Sequence, residues 1–515
     1  MTDCLGHAGG GVAVVVTNDP TASRITAFYD GKCPMCAKLA NAVCCSTRQD
    51  AFDLKDMHKQ KSMPFARDAV EKEIHVVDRD GQTYRGAQAI LKIASQYPYL
   101  RMLAVIGGLP VVRPLLPVGY NILARNRRFL FGAASRVFWL KAMIALVFCI
   151  GLVMSSRLWI GPRTYPPAPV LSFLPSSIYP ADLFFYGALF VLAGAILVSA
   201  RPQKYIFLFL GIVTVFCLLD QTRLQPWIYQ YGFLLAALAL FSWDDDDVEG
   251  RERALNIARL IVATTYIFSG LQKLNLNFIN YDFPWIVEPI TSAVPAVRDL
   301  LHALGIAAPF IQVGFGVGLL TRKFRRVSLI LAVSMHAFIL AMFGPFGHDW
   351  NNIIWPWTAA MAGLDLLLFT GNQRFSIRDI FWGNRHPYHV CALVLFGMMP
   401  FLSFFNLWDS YLSSALYSGN LTEATIYASD KGRDSLPANL KPYLVHTSPN
   451  TNVLNVQRWA IEDLNVLPYP ETRVYKEIAK AVCERSQDQA DFVLLVHEQR
   501  MFWSKPETGF RCWDL

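Results

Sequence analysis

The chain has 515 residues, 53% of them apolar and only 17% charged, with 35 Phe and 13 Trp. That is too long for one ordinary soluble core and too apolar for an average soluble protein; it is the composition of a polytopic membrane protein. A net charge of +8 spread over this length does not point to nucleic acid, and ten cysteines do not make a disulfide scaffold.

Residues 1–24 read as a disordered lead-in: they lack a basic stretch, and Val12–Val16 is too short for the apolar part of a signal peptide. Residues 25–105 have soluble composition and alternate in pattern. Ile25–Tyr29 is β-rich, Cys33 to Ser46 has good helix formers, and Ala51–Leu54 is a short strand. Glu73–Asp78 and Gln82–Tyr84 flank the turn Arg79-Asp80-Gly81, and Ala87–Ser95 reads as a helix. This order predicts an α/β unit with a small sheet.

Within it stands TAFYDGKCPMC, residues 26–36. A helix N-terminus favours a thiolate through its unsatisfied N–H groups and dipole. Cys33 follows a strand and a Gly turn, Pro34 suits the first helical turn, and Cys36 lies one turn along as a resolving thiol. Asp30, three residues before Cys33, is placed to relay a proton. Two other readings stand beside this one: a zinc site with Cys44 and Cys45, although adjacent cysteines do not have the usual ligand spacing, and an inert CxxC. The reading assigns no metal.

The pattern strand-D-G-x-C-P-x-C-helix resembles the DCC family of thioredoxin-like proteins. HVVDRDGQTYRGAQAI is similar to that family's hairpin and helix, and LPVVRPLLPVGYNILARNRRFL to its C-terminal extension. The resemblance spans about 25–130. It implies a thioredoxin-like fold and thiol–disulfide exchange with a thiol or disulfide partner, Cys33 attacking and Cys36 resolving. Unlike thioredoxins, the chain has Glu73-Ile74-His75 where a cis-proline would precede the hairpin strand.

About nine stretches have membrane length: 137–154, 182–200, 205–220, 226–243, 254–273, 306–321, 327–345, 350–370 and 388–406. With the N-terminus inside, four connecting segments on that side are basic, as at Arg125 to Arg128 and Arg322 to Arg326. The chain is therefore expected to be integral to a bilayer, with residues 1–136 cytoplasmic and the last zone outside. The fused soluble head suits a bacterial inner membrane. Residues 410–515 return to soluble composition, and Tyr475–Glu484 and Asp491–His497 predict a small α/β unit without a catalytic motif. There Cys483 and Cys512 either pair, in an oxidising compartment, or remain two thiols.

Arg259, Tyr266 and Lys273 are spaced by seven, so they share one helix face. Arg259 and Lys273 either snorkel to headgroups or face a cavity, where a Lys acts as a base. His336 lies mid-span, and His348, Asp349, Asn351 and Asn352 are expected to converge with Lys273 on one cavity. Trp350, Trp355 and Trp357 read as interfacial anchors or a flat wall, and Gly314, Gly316 and Gly318 as close-packing positions. The stretch Tyr266-x-x-x-Gly270-x-x-Lys273-Leu274, followed by His336, resembles the HTTM domain of the vitamin K-dependent γ-carboxylase superfamily. The carboxylase has a similar G-x-K-K-L stretch whose second lysine is its base, and Gln272 stands at the first. The resemblance implies Lys273 as base on a quinone or quinol, with His336 assisting.

The fold expected is thus a thioredoxin-like α/β head at 25–130, an all-α bundle of about nine helices at 137–406 and a small α/β domain at 410–515. Three functions are carried forward. The first is a membrane-bound thiol–disulfide oxidoreductase with a domain for a lipophilic substrate. The second is a quinol-dependent enzyme with a regulatory or vestigial head. The third is a scaffold or transporter-like protein.

Overall fold

The computed structural model describes residues 24–31, 33–44, 52–60, 62–98, 100–108, 112–114, 116–121, 135–171, 173–175, 178–240, 242–244, 247–370, 375–383, 386–485, 491–498 and 507–515. The chain divides into two compact units, residues 1–139 with 198–200, and the remainder.

In the first unit β1 (Ile25–Tyr29), α1 (Pro34–Cys44), β2 (Phe52–Asp56), α2 (Arg67–Lys72), β3 (His75–Val77), β4 (Thr83–Arg85), α3 (Gly86–Ala94) and α4 (Arg101–Gly108) follow in order. The sheet runs β2-β1-β3-β4, with β1 and β2 parallel and the other pairs antiparallel. The central strand β1 is covered on both faces, which is why four of its five residues are buried and only Thr26 is polar and partly exposed. Ile25 and Ala27 pack with Val43, Phe52, Val76 and Ile93, while Phe28 packs with Met57 and Val70. At the expected hairpin, Gly81 takes the left-handed conformation (φ 77°) that its turn requires. The Asp78 carboxylate closes it, accepting from the Asp80 and Gln82 N–H groups and from Lys92 Nζ.

From residue 135 onward each of the nine apolar stretches holds a helix, almost all of it in the second unit. They are α5 (Ser135–Met154), α6 (Ala181–Val198), α7 (Gln203–Leu219), α8 (Pro226–Ala239), α9 (Val248–Gln272), α10 (Arg298–Leu320), α11 (Arg325–Phe343), α12 (Ile354–Phe369) and α13, which spans Pro387–Phe405 with a π-helical turn at Leu393–Met398. Among the described residues six helices are long and apolar enough to cross a membrane. The helices α7, α8 and α12, of 17, 14 and 16 residues, are shorter.

Glycine lets α9 and α10 touch. A Cβ on Gly270 would lie 2.8 Å from Pro309 O, and one on Gly316 would lie 3.1 Å from Ile267 N. Gly318 likewise faces Ser328, but a Cβ on Gly314 would meet open space, so the close-packing expectation fails at that position. Arg259 does not snorkel. It is 1% exposed, donates to Leu368 O and Asn256 Oδ1, and lies over the Phe375 ring.

The chain ends in a five-stranded antiparallel sheet ordered β6-β7-β5-β8-β9. Its elements are β5 (Glu423–Ala428), β6 (Leu444–Ser448), β7 (Thr451–Leu454), α14 (Val456–Leu464), α15 (Thr472–Glu484), β8 (Phe492–His497) and β9 (Thr508–Arg511). Cys483 and Cys512 form a disulfide. Two of these elements, α15 and β8, are the predicted helix and strand. Asp463 on α14 ties the sheet domain to the segment after α5, accepting from Thr164 N and Oγ1 and from Tyr165 N.

Candidate functional site

Beyond β1 the chain turns at Asp30-Gly31 and enters α1. The Cys33 N–H donates to Asp30 O (3.1 Å) and Cys33 O accepts from Ala37 N–H (2.9 Å), which makes Cys33 the residue that opens α1. Its thiol therefore sits at the positive end of an eleven-residue helix. Cys33 is 3% exposed, Cys36 one turn on is half-buried, and the two stand as thiols rather than as a disulfide. The side chain of Cys44, and all of Cys45, lie outside the described residues.

Parallel pairing sets Tyr29 beside Asp56, so residues 30–31 and 56–58 leave the sheet at the same edge. The buried Asp30 carboxylate lies 2.9 Å from His58 Nε2. Asp56 Oδ1 accepts from the N–H groups of Gly31 (3.2 Å) and His58 (3.0 Å). This contact is why residue 31 is glycine: a Cβ there would lie 2.2 Å from Asp56 Oδ2. Neither Asp56 nor His58 was singled out from the sequence. The available signal was position, since groups following a parallel strand collect at its carboxyl end.

A cavity of about 440 Å³ opens among the helices of the second unit. Tyr266 and Ser269 of α9 and Lys273, the residue that caps its end, line it, together with Phe315 of α10, His336 of α11, Trp357 of α12 and Phe396 of α13. Lys273 Nζ donates to Ser269 O (2.9 Å) and Ser269 Oγ (2.7 Å). Tyr266 Oη lies 2.7 Å from His336 Nε2 and donates to Asp365 Oδ2 (2.8 Å). Asp365 is fully buried within α12. It was not singled out, although a carboxylate inside AGLDLLLF is the kind of costly residue that marks function.

Tyr411 and Tyr417 close the cavity from the coil that follows α13. That coil is held on one side by Asn420 Nδ2 donating to Gln272 Oε1 (2.6 Å) and by Asn275 Nδ2 donating to Ser418 O (2.7 Å). On the other side Glu471 Oε1 accepts from Ser410 N–H (2.9 Å), and Asp409 accepts from Tyr469 Oη and Arg473.

Lys273, Tyr266 and His336 thus share one cavity, but Arg259 is not in its lining. The expected convergence of the 348–352 cluster fails. His348 stacks on Trp285 and bonds its carbonyl (2.7 Å), Asp349 is exposed, and the Asn351 side chain donates to Tyr417 Oη (2.9 Å). Trp357 is a wall of the cavity, whereas Trp350 and Trp355 are not.

Residues 27–133, about a fifth of the chain, match the family model of DCC1-like thiol-disulfide oxidoreductases. The match suggests oxidoreductase activity and contains Asp30, Cys33, Cys36, Asp56 and His58. Neither a curated protein nor a solved structure matches the chain.

Proposed function

We propose that the chain is a membrane-bound thiol–disulfide oxidoreductase with a thioredoxin-like head at 25–130, a helical domain at 137–406 and a sheet domain at 410–515. The observation that carries the reading is Cys33 opening α1, with Cys36 one turn on, inside the matched region. The Cys33 thiolate attacks a disulfide sulfur of the partner, forming a mixed disulfide and releasing one partner thiolate. Cys36, its proton relayed through Asp30, then displaces the second, leaving a Cys33–Cys36 disulfide and a reduced partner. A dithiol donor returns the pair to its reduced form.

The test uses the full-length protein in lipid nanodiscs, a small dithiol as reductant and cystine as substrate. Cys33→Ser is expected to abolish turnover, and Cys36→Ser to accumulate a mixed disulfide visible by mass. Full activity in Cys33→Ser would remove the thiol mechanism.

A second reading concerns the helical domain, which takes a lipophilic ring-bearing substrate such as a quinone or quinol, with Lys273 as base. It is favoured by one observation: Lys273 and His336 line the same aromatic-walled cavity. The likeness to HTTM proteins, resting on Tyr266, Gly270, Lys273 and Leu274, agrees with it. The buried Gln272 departs from the carboxylase pattern and bonds Ser403 and Asn420 instead. Lys273→Ala is expected to abolish quinol turnover in the same nanodiscs while leaving cystine reduction intact. Unchanged quinol turnover would exclude the base role. The reading places the head on the cytoplasmic side and the sheet domain outside. The Cys483–Cys512 disulfide supports this placement, since an oxidising side would preserve it.

A further inference from the structure

Lys273 is tethered twice by one residue. Its Nζ lies 2.7 Å from Ser269 Oγ and 2.9 Å from Ser269 O, one helical turn back. Among the described residues no other hydrogen bond reaches Nζ. The other titratable groups around it are Tyr266, His336, Tyr411 and Tyr417 in the cavity lining and Asp282 in the turn after α9, and none of them bonds Nζ. Ser269 therefore sets the direction in which the amine points. Both residues are half-buried and line the cavity, so both side chains are open to a bound molecule.

An amine nitrogen has four tetrahedral directions. On Lys273 one is taken by Cε and two by the contacts with Ser269. A lysine acting as a base is a neutral amine with two N–H groups and one lone pair. With both N–H groups given to Ser269, the lone pair takes the fourth direction, the one left for the cavity that Lys273 lines. The Ser269 hydroxyl is uncommitted in a complementary way. Thr264 and Thr265 on the same helix donate their hydroxyl protons to carbonyls four residues back, Leu260 O (2.7 Å) and Ile261 O (2.8 Å), a common resting place for a hydroxyl on a helix. Ser269 Oγ instead accepts from Lys273, and among the described residues its own proton goes to no acceptor.

We propose that Ser269 binds and positions a phenolic or hydroquinone hydroxyl in the cavity: it aims the Lys273 lone pair at that hydroxyl and donates its own proton to the same oxygen. The proposal rests on the reading of the cavity with Lys273 as base. The ligand O–H breaks as a third Nζ–H forms. The ligand becomes a phenolate and Lys273 an ammonium, so the charge of the group and its ligand is unchanged and no oxidant is needed. The new N–H lies in the direction that the lone pair had. The phenolate oxygen therefore receives two hydrogen bonds, one from Nζ and one from Ser269 Oγ, without either side chain moving. Donors already in place where charge develops are the ones that stabilise it most. The ammonium forms at the carbonyl end of α9, the end of a helix that favours a cation.

The test uses the full-length protein in nanodiscs with a nonyl-substituted para-nitrophenol as the probe, because its phenolate is yellow. Binding is followed by tryptophan quenching, for which Trp357 in the cavity wall is a reporter. Ionisation is followed by absorbance as pH is raised, with empty nanodiscs as the reference. The bound probe is expected to ionise at lower pH than the probe in empty nanodiscs, and to lose that shift in Lys273→Ala. Ser269→Ala is expected to raise the midpoint by about one pH unit, a tenfold loss of phenolate of the order expected for one hydrogen bond to an anion, while leaving binding of the neutral probe within about threefold. Ser269→Thr, which keeps the hydroxyl, is expected to stay near the wild type. A wild-type midpoint in Ser269→Ala, or a Thr variant that behaves like the Ala variant, overturns the role of Ser269 and leaves Lys273 as base. No saturable binding to the wild type, or a midpoint that Lys273→Ala does not move, overturns both.

Discussion

Gly31 shows how little room the thiol end of the sheet leaves. A methyl group at this position would stand 2.2 Å from Asp56 Oδ2, a carboxylate already bound to two backbone N–H groups. Gly31→Ala is therefore expected to push Asp56 aside, unpair those donors and cost about 1–3 kcal/mol. Hydrogen exchange on the full-length protein checks this, with faster exchange expected in β1 and the first turn of α1 than in β3. The sequence shows Asp30, Gly31, Cys33 and Cys36 at once, because they are consecutive and their chemistry is local. His58 was hidden, since only the parallel pairing of β1 with β2 carries it back to Asp30. Asp365 was hidden differently: it lies in a hydrophobic stretch, and the partners that give it meaning are 99 and 29 residues away in sequence.

At the scale of elements, α9 and α10 pack where glycine removes a side chain. An added Cβ on Gly270 would meet Val313 Cγ2 at 2.7 Å and two backbone atoms, Pro309 O and Val313 N at 2.8 and 2.9 Å, and the backbone atoms cannot swing away. Gly270→Ala is expected to force the helices apart and lower stability by about 1–3 kcal/mol, whereas Gly314→Ala, facing open space, is expected to change it by less than about 0.5 kcal/mol. Thermal unfolding of the two variants side by side decides it; equal shifts would contradict the packing argument. The apolar helices were legible because each announces itself through composition alone. The sheet after them was not, apart from β8. β6, for instance, has one half-buried residue followed by four exposed ones, so no alternation marks it. Its existence depends on the β7 strand that it pairs with.

At the scale of the whole second unit, the helical bundle and the sheet domain are joined by a buried carboxylate. Burial raises Glu471, which accepts from Ser410 N–H, and the neighbouring Asp409 raises it further; Arg473 and the Ser410 bond oppose them, leaving it at about 7. Between its ordinary value of 4.5 and about 7 the folded chain therefore holds a proton that the unfolded chain has lost. Stability contributed by this group is complete below pH 4.5 and falls as pH rises through about 7, by on the order of 3 kcal/mol in total. Glu471→Gln is expected to remove this slope. Melting temperatures of both proteins measured from pH 5 to 8 check it, and parallel profiles would refute it.

The coil that covers the cavity has a consequence of its own. Residues 409–420 follow the last membrane helix and precede the first strand of the sheet, and their hydrogen bonds run to both: Gln272 and Asn275 at one end, Glu471 and Tyr469 at the other. A lid fastened at both ends behaves as a latch rather than a flap. Lifting it requires releasing the bundle side or the sheet side, so whatever grips or tugs the sheet domain also loads the ceiling over Lys273.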